Sequence, residues 1–514
     1  MKNIVSFLII LVLIVGFNGC SKDFLNREPS GDITAQQLEQ ASKQNPDIPK
    51  AMVSGIYSLT FAFGTGGTSG HDDFGQKSID IVTDLMTGDM ALGGKTYGWF
   101  STVYELKDQT TTDTRAIMNW KYYYTLIKAA NEVIDGLGGN DAMPEDATAL
   151  AFYGQAKTIR AYAYYYLANL YQTAYDGYQN AKCVPLYTTQ LTIEAQPSAT
   201  VQEIYDQIDA DLHSAITALG NYQRTTKTEI NKYVAEGYLA YADVTTGNYS
   251  EAVSMCNDII NNGGFPMMDS TAVLQSGFNS ITIPGWMWAI DLTNDNSPKL
   301  PTFWGMVDVF TYSYAGVGDY KGMDDDLWKS IPNTDVRKRQ FSDFFGDGGH
   351  VPTNKFYDAA RVYFGDRTWT NDEQYMRVSE FYLLKAEALA RSGNDGAAQD
   401  ALWQLVQERD PARESYIRSL TGQALLDEIY FQTRVELWGE GKTYLAMKRF
   451  KATEVRSTTQ LDLGGVQIPY NDPRMHFQIP EDEVNNNPFI STADINAILH
   501  NAGSDIHLSK DLSK

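Results

Sequence analysis

Gly439-Glu440-Gly441-Lys442-Thr443 has the residue types that close a phosphate-cradling loop, where backbone N–H groups and a lysine hold an anion. That loop also needs a glycine five places before Gly441, and the position is Glu436. The segment lies within a helical pattern, whereas a phosphate loop joins a strand to a helix, so nucleotide binding is set aside. Glu436, Glu440 and Arg434 read instead as ion pairs on a helix surface. The six histidines, His71, His213, His350, His476, His500 and His507, never fall at ligand spacing, so a zinc site is not expected. No Gly-x-Ser-x-Gly elbow occurs. A glycosidase needs two carboxylates at a set separation; Asp72-Asp73 and Asp324-Asp325-Asp326 are candidates, with solvated loops the simpler account.

Cys20 has a more definite chemistry. An apolar run from Ile4 to Phe17 spans 14 residues, short of the roughly 20 that cross a bilayer. With Lys2 before it and Asn18-Gly19 after it, the run has the form of a secretory signal over residues 1–19. A cysteine directly after the cleavage point is what lipoprotein processing requires, since its thiol takes the diacylglycerol and its amine becomes the new N-terminus. Several acyl chains on Cys20 make membrane attachment stable. Phe17 stands where the usual lipoprotein box has leucine. Two further cysteines, Cys183 and Cys256, either pair or sit as small buried hydrophobes; the second reading is preferred.

The aromatic inventory suggests a third kind of chemistry. A pyranose ring presents C–H groups on its faces and hydroxyls at its rim, so flat rings beside amide, carboxylate or cationic side chains suit it. Tyr97, Trp99, Phe100 and Tyr104 lie in a stretch rich in Gly, Thr and Asp from Gly64 to Asp113. A long glycine-rich stretch carrying aromatics reads as a binding surface. The formal net charge of -23, with no basic run, excludes a nucleic-acid partner.

These residues must be held by a mainly helical frame. In Met376 to Arg409, Val378, Phe381, Leu384 and Ala388 share one helical face, Gly393 stops the helix, and Asp395 can cap a second one bearing Ala398, Ala401, Leu402, Leu405 and Val406. Aligning Gly247-Asn248 on Gly393-Asn394 sets Ala240, Ala242 and Ala252 on Ala386, Ala388 and Ala398. Cys256, Ile259 and Ile260 then fall on Leu402, Leu405 and Val406. Small residues recurring at close-packing positions are a tetratricopeptide-like signature. Helical repeats are expected over about 116–260 and 373–450, with Asp47 to Phe63 as an earlier helix. Between Gly263 and Asn371 the helical period disappears, and this segment holds five of the nine tryptophans. It reads as a loop-rich lobe laid across the helices, in which Trp286 and Trp288 alternate as in a strand and pack inward.

Four stretches resemble motifs of the SusD/RagB outer-membrane lipoproteins. They are CSKDFLNREP (Cys20 to Pro29), MRVSEFYLLKAEALARSGN from Met376, TRVELWGEGKTYLAMKRF (Thr433 to Phe450) and FQIPEDEVNNNPFI (Phe477 to Ile490). Ala446 and Thr433 depart from acidic residues usual in the family. The resemblance implies a single SusD-like domain over residues 20–514, with four tetratricopeptide-like hairpins and a loop-rich binding lobe over about 263–371. It also implies a surface-exposed protein, lipid-anchored at Cys20 in the outer membrane beside a SusC-like TonB-dependent channel. Such a protein captures an oligosaccharide without catalysis or cofactor and hands it to the channel; the RagB branch captures peptides, and a surface glycan hydrolase is a more distant alternative. Trp99 falls where the family often presents a stacking aromatic, and Trp304, Tyr312, Tyr314 and Tyr320 lie in the lobe that usually completes the site.

Overall fold

The computed structural model describes residues 40–491 apart from 43, 44, 46, 191–193 and 368. Cys20, the signal segment and the polar tether after it lie outside the described residues. The longer helices are α1 (Asp47–Leu59), α2 (Gln76–Thr87), α3 (Thr114–Gly136), α4 (Ala147–Tyr171), α5 (Val201–Ala218), α6 (Lys232–Thr246), α7 (Tyr249–Asn262), α8 (Ser379–Arg391), α9 (Asp395–Val406), α10 (Gly422–Glu436) and α11 (Thr443–Phe450). Helices α3 to α7 pack each on the next, and α7 packs on α8, so the two runs of helices form one stack. The fold is mainly α, built from tetratricopeptide-like hairpins, and none of the described helices is long and apolar enough to cross a membrane.

The repeat read from the alanines is a packing repeat. Gly247 and Gly393 both take the left-handed conformation, at φ 93° and 78°, which a residue without Cβ adopts freely. Ala240, Ala252, Ala386, Ala388 and Ala398 are fully buried where the paired helices approach. The cap of α9 is Asn394 rather than Asp395: the Asn394 side chain accepts from the Ala397 N–H, and Asp395 sits in the first turn and accepts from the Gly422 N–H at 2.9 Å. Elsewhere Thr200 and Glu203 form a reciprocal capping box at the start of α5.

The tyrosines of α4 are buried along their whole length, hydroxyls included. Tyr164 donates to the Tyr187 carbonyl at 2.9 Å and Tyr171 to the Ala116 carbonyl at 2.5 Å, so each phenol finds an internal acceptor. Cys183 and Cys256 are buried free thiols.

Glu436 and Glu440 correct the surface reading. Arg337, Arg377 and Arg409 converge on Glu436, while Arg377 and Lys355 hold Glu440 at 2.8 Å each. All of these side chains are essentially inaccessible. Although burial pushes the Glu436 carboxyl up, the charges of Arg409, Arg377 and Arg337 hold it well below the usual range. The cations come from three distant segments, which helical spacing around Glu436 cannot reveal. Gly441 lies against Asp80 in the turn between α10 and α11, a helix-to-helix connection with no room for a phosphate.

Two short antiparallel sheets tie the lobe to the helices. Strand β2 (Trp286–Ile290) pairs with β4 (Glu373–Arg377) with a register shift between Trp286 and Trp288, and buries both tryptophans completely, Met287 with them. Strand β1 (Met90–Leu92) pairs with β3 (Lys321–Met323), with Met90 opposite Met323 and Leu92 opposite Lys321. This second pairing joins the glycine-rich stretch after α2 to the lobe and sets the position of the site.

Candidate functional site

Three loop segments bring aromatic rings together at the surface. The first, Gly64 to Asp73, folds around one carboxylate: buried Asp73 accepts from the Gly66 N–H at 2.8 Å and the Thr68 N–H at 2.9 Å. Arg115 pairs with Asp72, fixing the far end of the turn and presenting His71. The second segment runs from Gly93 to Trp99 and is clasped by the lobe. Asp319 accepts from the Thr96 N–H at 2.8 Å and the Tyr97 N–H at 2.6 Å, and the Gly93 N–H donates to the Tyr320 carbonyl at 2.9 Å. Gly94 is required here, since a Cβ would stand 2.6 Å from the Gly318 carbonyl oxygen. The third segment is the lobe chain from Thr311 to Tyr320, which brings Tyr312 and Tyr314.

The rings form a platform. His71 and Trp99 stack with centroids 5.3 Å apart and planes 6° from parallel. Tyr314 meets Tyr97 at 4.9 Å, His71 at 5.9 Å and Trp99 at 6.1 Å, edge to face in each case. Its hydroxyl lies 2.6 Å from His71 Nδ1. Phe63 adds its edge to His71 at 6.2 Å. Tyr97 is 53% exposed and Phe63 42%, with Trp99 half-buried. Edge-to-face contact is the favoured arrangement of aromatic quadrupoles and fixes the rings in place.

A second aromatic group continues the surface. Tyr312 is exposed, packs on Phe364 at 5.3 Å and lies under the Arg367 guanidinium at 4.3 Å. Tyr363 and Phe364 follow in the same loop, both exposed, with Tyr363 donating to the Gly316 carbonyl at 3.2 Å. Burial raises the Tyr314 phenol above its ordinary value. The arrangement offers ring faces, a phenol and imidazole pair, and an exposed guanidinium.

Of the five ring residues expected from sequence, Trp99 and Tyr314 meet here, Tyr314 being buried at 8% exposure, and exposed Tyr312 packs in the neighbouring group on Phe364. Trp304 does not: it is 1% exposed, in a short helix against Phe303, where its indole fills the core. Tyr320 does not either. Its ring lies between Gly93 and Gly349, stacks on Phe345 at 5.1 Å and donates its hydroxyl to the Asp347 carboxylate. Both face inward because the lobe needs its own core, and proximity in sequence to Tyr312 and Tyr314 does not report which way a loop side chain turns. His71, Phe63, Phe364 and Arg367 were missed. The signal for the last two is the run RVYFGDR, whose adjacent aromatics around one glycine leave no buried face to share.

Comparison with known proteins supplies a lineage. The chain matches a family profile described as "Starch-binding associating with outer membrane" over residues 69–242 and the SusD family profile over residues 279–495. A SusD-like protein of Formosa agariphila is 23% identical over 300 residues, covering 57% of this chain and 53% of that protein. The chain thus spans about half the length of the curated relatives it matches. Among solved structures, a SusD-like carbohydrate binding protein from Bacteroides vulgatus superposes with a TM-score of 0.72 at 22% identity, over 87% of this chain and 97% of that one. Surface glycan-binding protein A from Bacteroides thetaiotaomicron, in complex with laminarihexaose, superposes with a TM-score of 0.64 at 16% identity, over 86% and 98%. At these identities the structures speak to the fold.

Proposed function

The chain belongs to the SusD/RagB family, and on that premise we propose that it is a cell-surface glycan-binding protein that captures an oligosaccharide and delivers it to a SusC-like TonB-dependent outer-membrane channel. The observation that carries this reading is the platform of Trp99, His71, Tyr314 and Tyr97, with Tyr312 and Arg367 beside it. Ring faces cover the C–H faces of a pyranose, while the exposed Arg367 guanidinium takes rim hydroxyls; Tyr314, 8% exposed with its hydroxyl on His71, steadies the rings from beneath. The laminarihexaose held by the Bacteroides thetaiotaomicron protein is consistent with a sugar in a fold of this shape.

The reading is non-catalytic. Three carboxylates near the rings are engaged: Asp72 with Arg115, Asp73 with Gly66 and Thr68, Asp319 with Thr96 and Tyr97. A glycosidase would need two of them free to face one glycosidic oxygen. The lipid anchor at Cys20 belongs to the same reading, since it holds the capture surface beside the channel.

Affinity electrophoresis and calorimetry of the intact mature protein against glycan and peptide panels test it. Retention by a glycan, with products unchanged in chain length, is the expected result. Binding to peptides alone would replace the sugar by the RagB-type ligand, and shortened glycan products would replace capture by hydrolysis.

A further inference from the structure

A cleft of about 700 Å³ opens between the C-terminal half of α1, the first turns of α4 and the end of α5. Its size falls within the range of small-molecule sites, roughly 300–1,000 Å³. The walls mix rings with uncharged polar groups: Tyr57, Phe152 and Tyr222 against Gln155, Asn221 and Gln223. Lys50 is the one cation among its lining residues, against Glu145, Glu229 and Asp291, so an acidic ligand is disfavoured. Glu229 is already engaged by the Tyr222 hydroxyl at 2.8 Å and the Thr225 N–H at 3.2 Å.

Gln155 gives the cleft its strongest demand. It is 1% exposed, and its side-chain nitrogen stands beside the Tyr222 hydroxyl without completing a hydrogen bond to any protein acceptor. A buried donor left in that state is costly, and a ligand hydroxyl is an acceptor that fits it.

Two segments connect this cleft to the aromatic platform. Phe61 lines the cleft and Phe63 stands in the platform, two residues on and at most about 7 Å along the backbone. Asn296 lines the cleft on its other side. The neighbouring Ser297 donates to the Trp369 carbonyl at 2.5 Å, two residues from Arg367.

We propose that the cleft is a second saccharide subsite continuous with the platform, so that the site takes a linear neutral oligosaccharide long enough to occupy both. The inference rests on the glycan-binding reading above and goes further, since it names ligand length and charge class. Hydroxyls of the distal sugars accept from Gln155 and meet the amides of Asn221 and Gln223, while Tyr57 and Tyr222 supply ring contact.

The test uses the intact mature protein. Laminarin, starch, mannan and xylan are screened by affinity electrophoresis, and the tri- and hexasaccharides of a retained polymer are titrated by calorimetry. The exposed pair Asn221→Ala/Gln223→Ala, and separately Gln155→Leu, should weaken hexasaccharide binding about tenfold and leave the trisaccharide unchanged. Wild-type hexasaccharide affinity in both variants would overturn the subsite while leaving the platform reading intact. Equal losses at both lengths, or a trisaccharide bound by the wild type as tightly as the hexasaccharide, would overturn it too. Retention of none of the four polymers would remove the glycan reading itself, and the subsite with it.

Discussion

His71 and Trp99, 28 residues apart in the chain, lie with ring planes 6° from parallel and centroids 5.3 Å apart. His71 also meets the edge of Phe63, and Tyr314 from the lobe meets both rings. The stack is therefore rigid yet partly open, the condition under which an indole offers a face to a ligand instead of to a core.

Trp99 and Trp304 should separate binding from stability. Trp99→Ala is expected to weaken glycan binding tenfold to about a hundredfold, with little change in melting temperature. Trp304→Ala should cost about 3–5 kcal/mol of stability, the usual range for emptying a buried aromatic site, and leave the affinity of the folded fraction unchanged. Calorimetric titration paired with thermal melts reads both effects.

Asp319 acts through the loop it clasps. Asp319→Asn leaves one acceptor for two backbone donors, at Thr96 and Tyr97, and exchanges charge-assisted hydrogen bonds for weaker neutral ones. Glycan affinity should fall severalfold with the Tyr97 ring loosened. Protection of the Thr96 and Tyr97 amides from hydrogen exchange should fall in parallel, and unchanged protection would show that the clasp does not hold the loop.

Glu436 is the most sensitive single position in the helical frame. Glu436→Gln takes the carboxylate partner of buried Arg409 away and one of the two held by Arg337, which keeps Asp335, and by Arg377, which keeps Glu440. Breaking a buried pair in this way costs about 3–5 kcal/mol, and urea unfolding should show the midpoint shift. Neighbouring Glu440 is held down to about 2, against the upward push of burial, by Arg377 and Lys355. Its contribution is present above the unfolded carboxylate value and is lost as pH falls toward 2.

Asp84 works in the opposite direction. Burial pushes its carboxyl up to about 7, despite hydrogen bonds donated by the Thr443 hydroxyl and the Gly441 N–H. Between the unfolded aspartate value and pH 7 the unfolded chain has lost this proton while the folded chain keeps it, so stability declines as pH rises through that interval. Asp84→Asn should flatten this part of the stability curve, measured by denaturant midpoints from pH 4 to 8.

The two internal thiols should be inert until the chain unfolds. Burial pushes Cys183 up to about 12 and raises Cys256 as well, and neither is accessible. In a Cys20→Ala protein a thiol reagent should find no reactive group in buffer and two in denaturant. The same substitution should release the protein from membranes, which fractionation checks.

Much of the frame is legible in the sequence because small residues at fixed spacing are a local signal: Ala240 on Ala386 and Gly247 on Gly393 can be aligned by eye, and both pairs pack as the alignment implies. Trp286 and Trp288 are buried as expected, although the register shifts between them and Met287 is buried as completely, so burial on both sides of the strand and not alternation puts them inside. The site is harder. Trp304 and Tyr312 stand eight residues apart in one irregular lobe, and nothing periodic tells which is inside; Trp304 packs on Phe303 in the core and Tyr312 on Phe364 at the surface. Glu436 fails for the same reason, because its three arginines arrive from segments no helical wheel contains.

The pairing of β1 with β3 joins residues that leave the ribosome some 230 positions apart. The platform is therefore completed late: a chain that already carries Trp99 still lacks Tyr314 and Asp319, and on the proposed reading cannot hold a sugar until the lobe has been made.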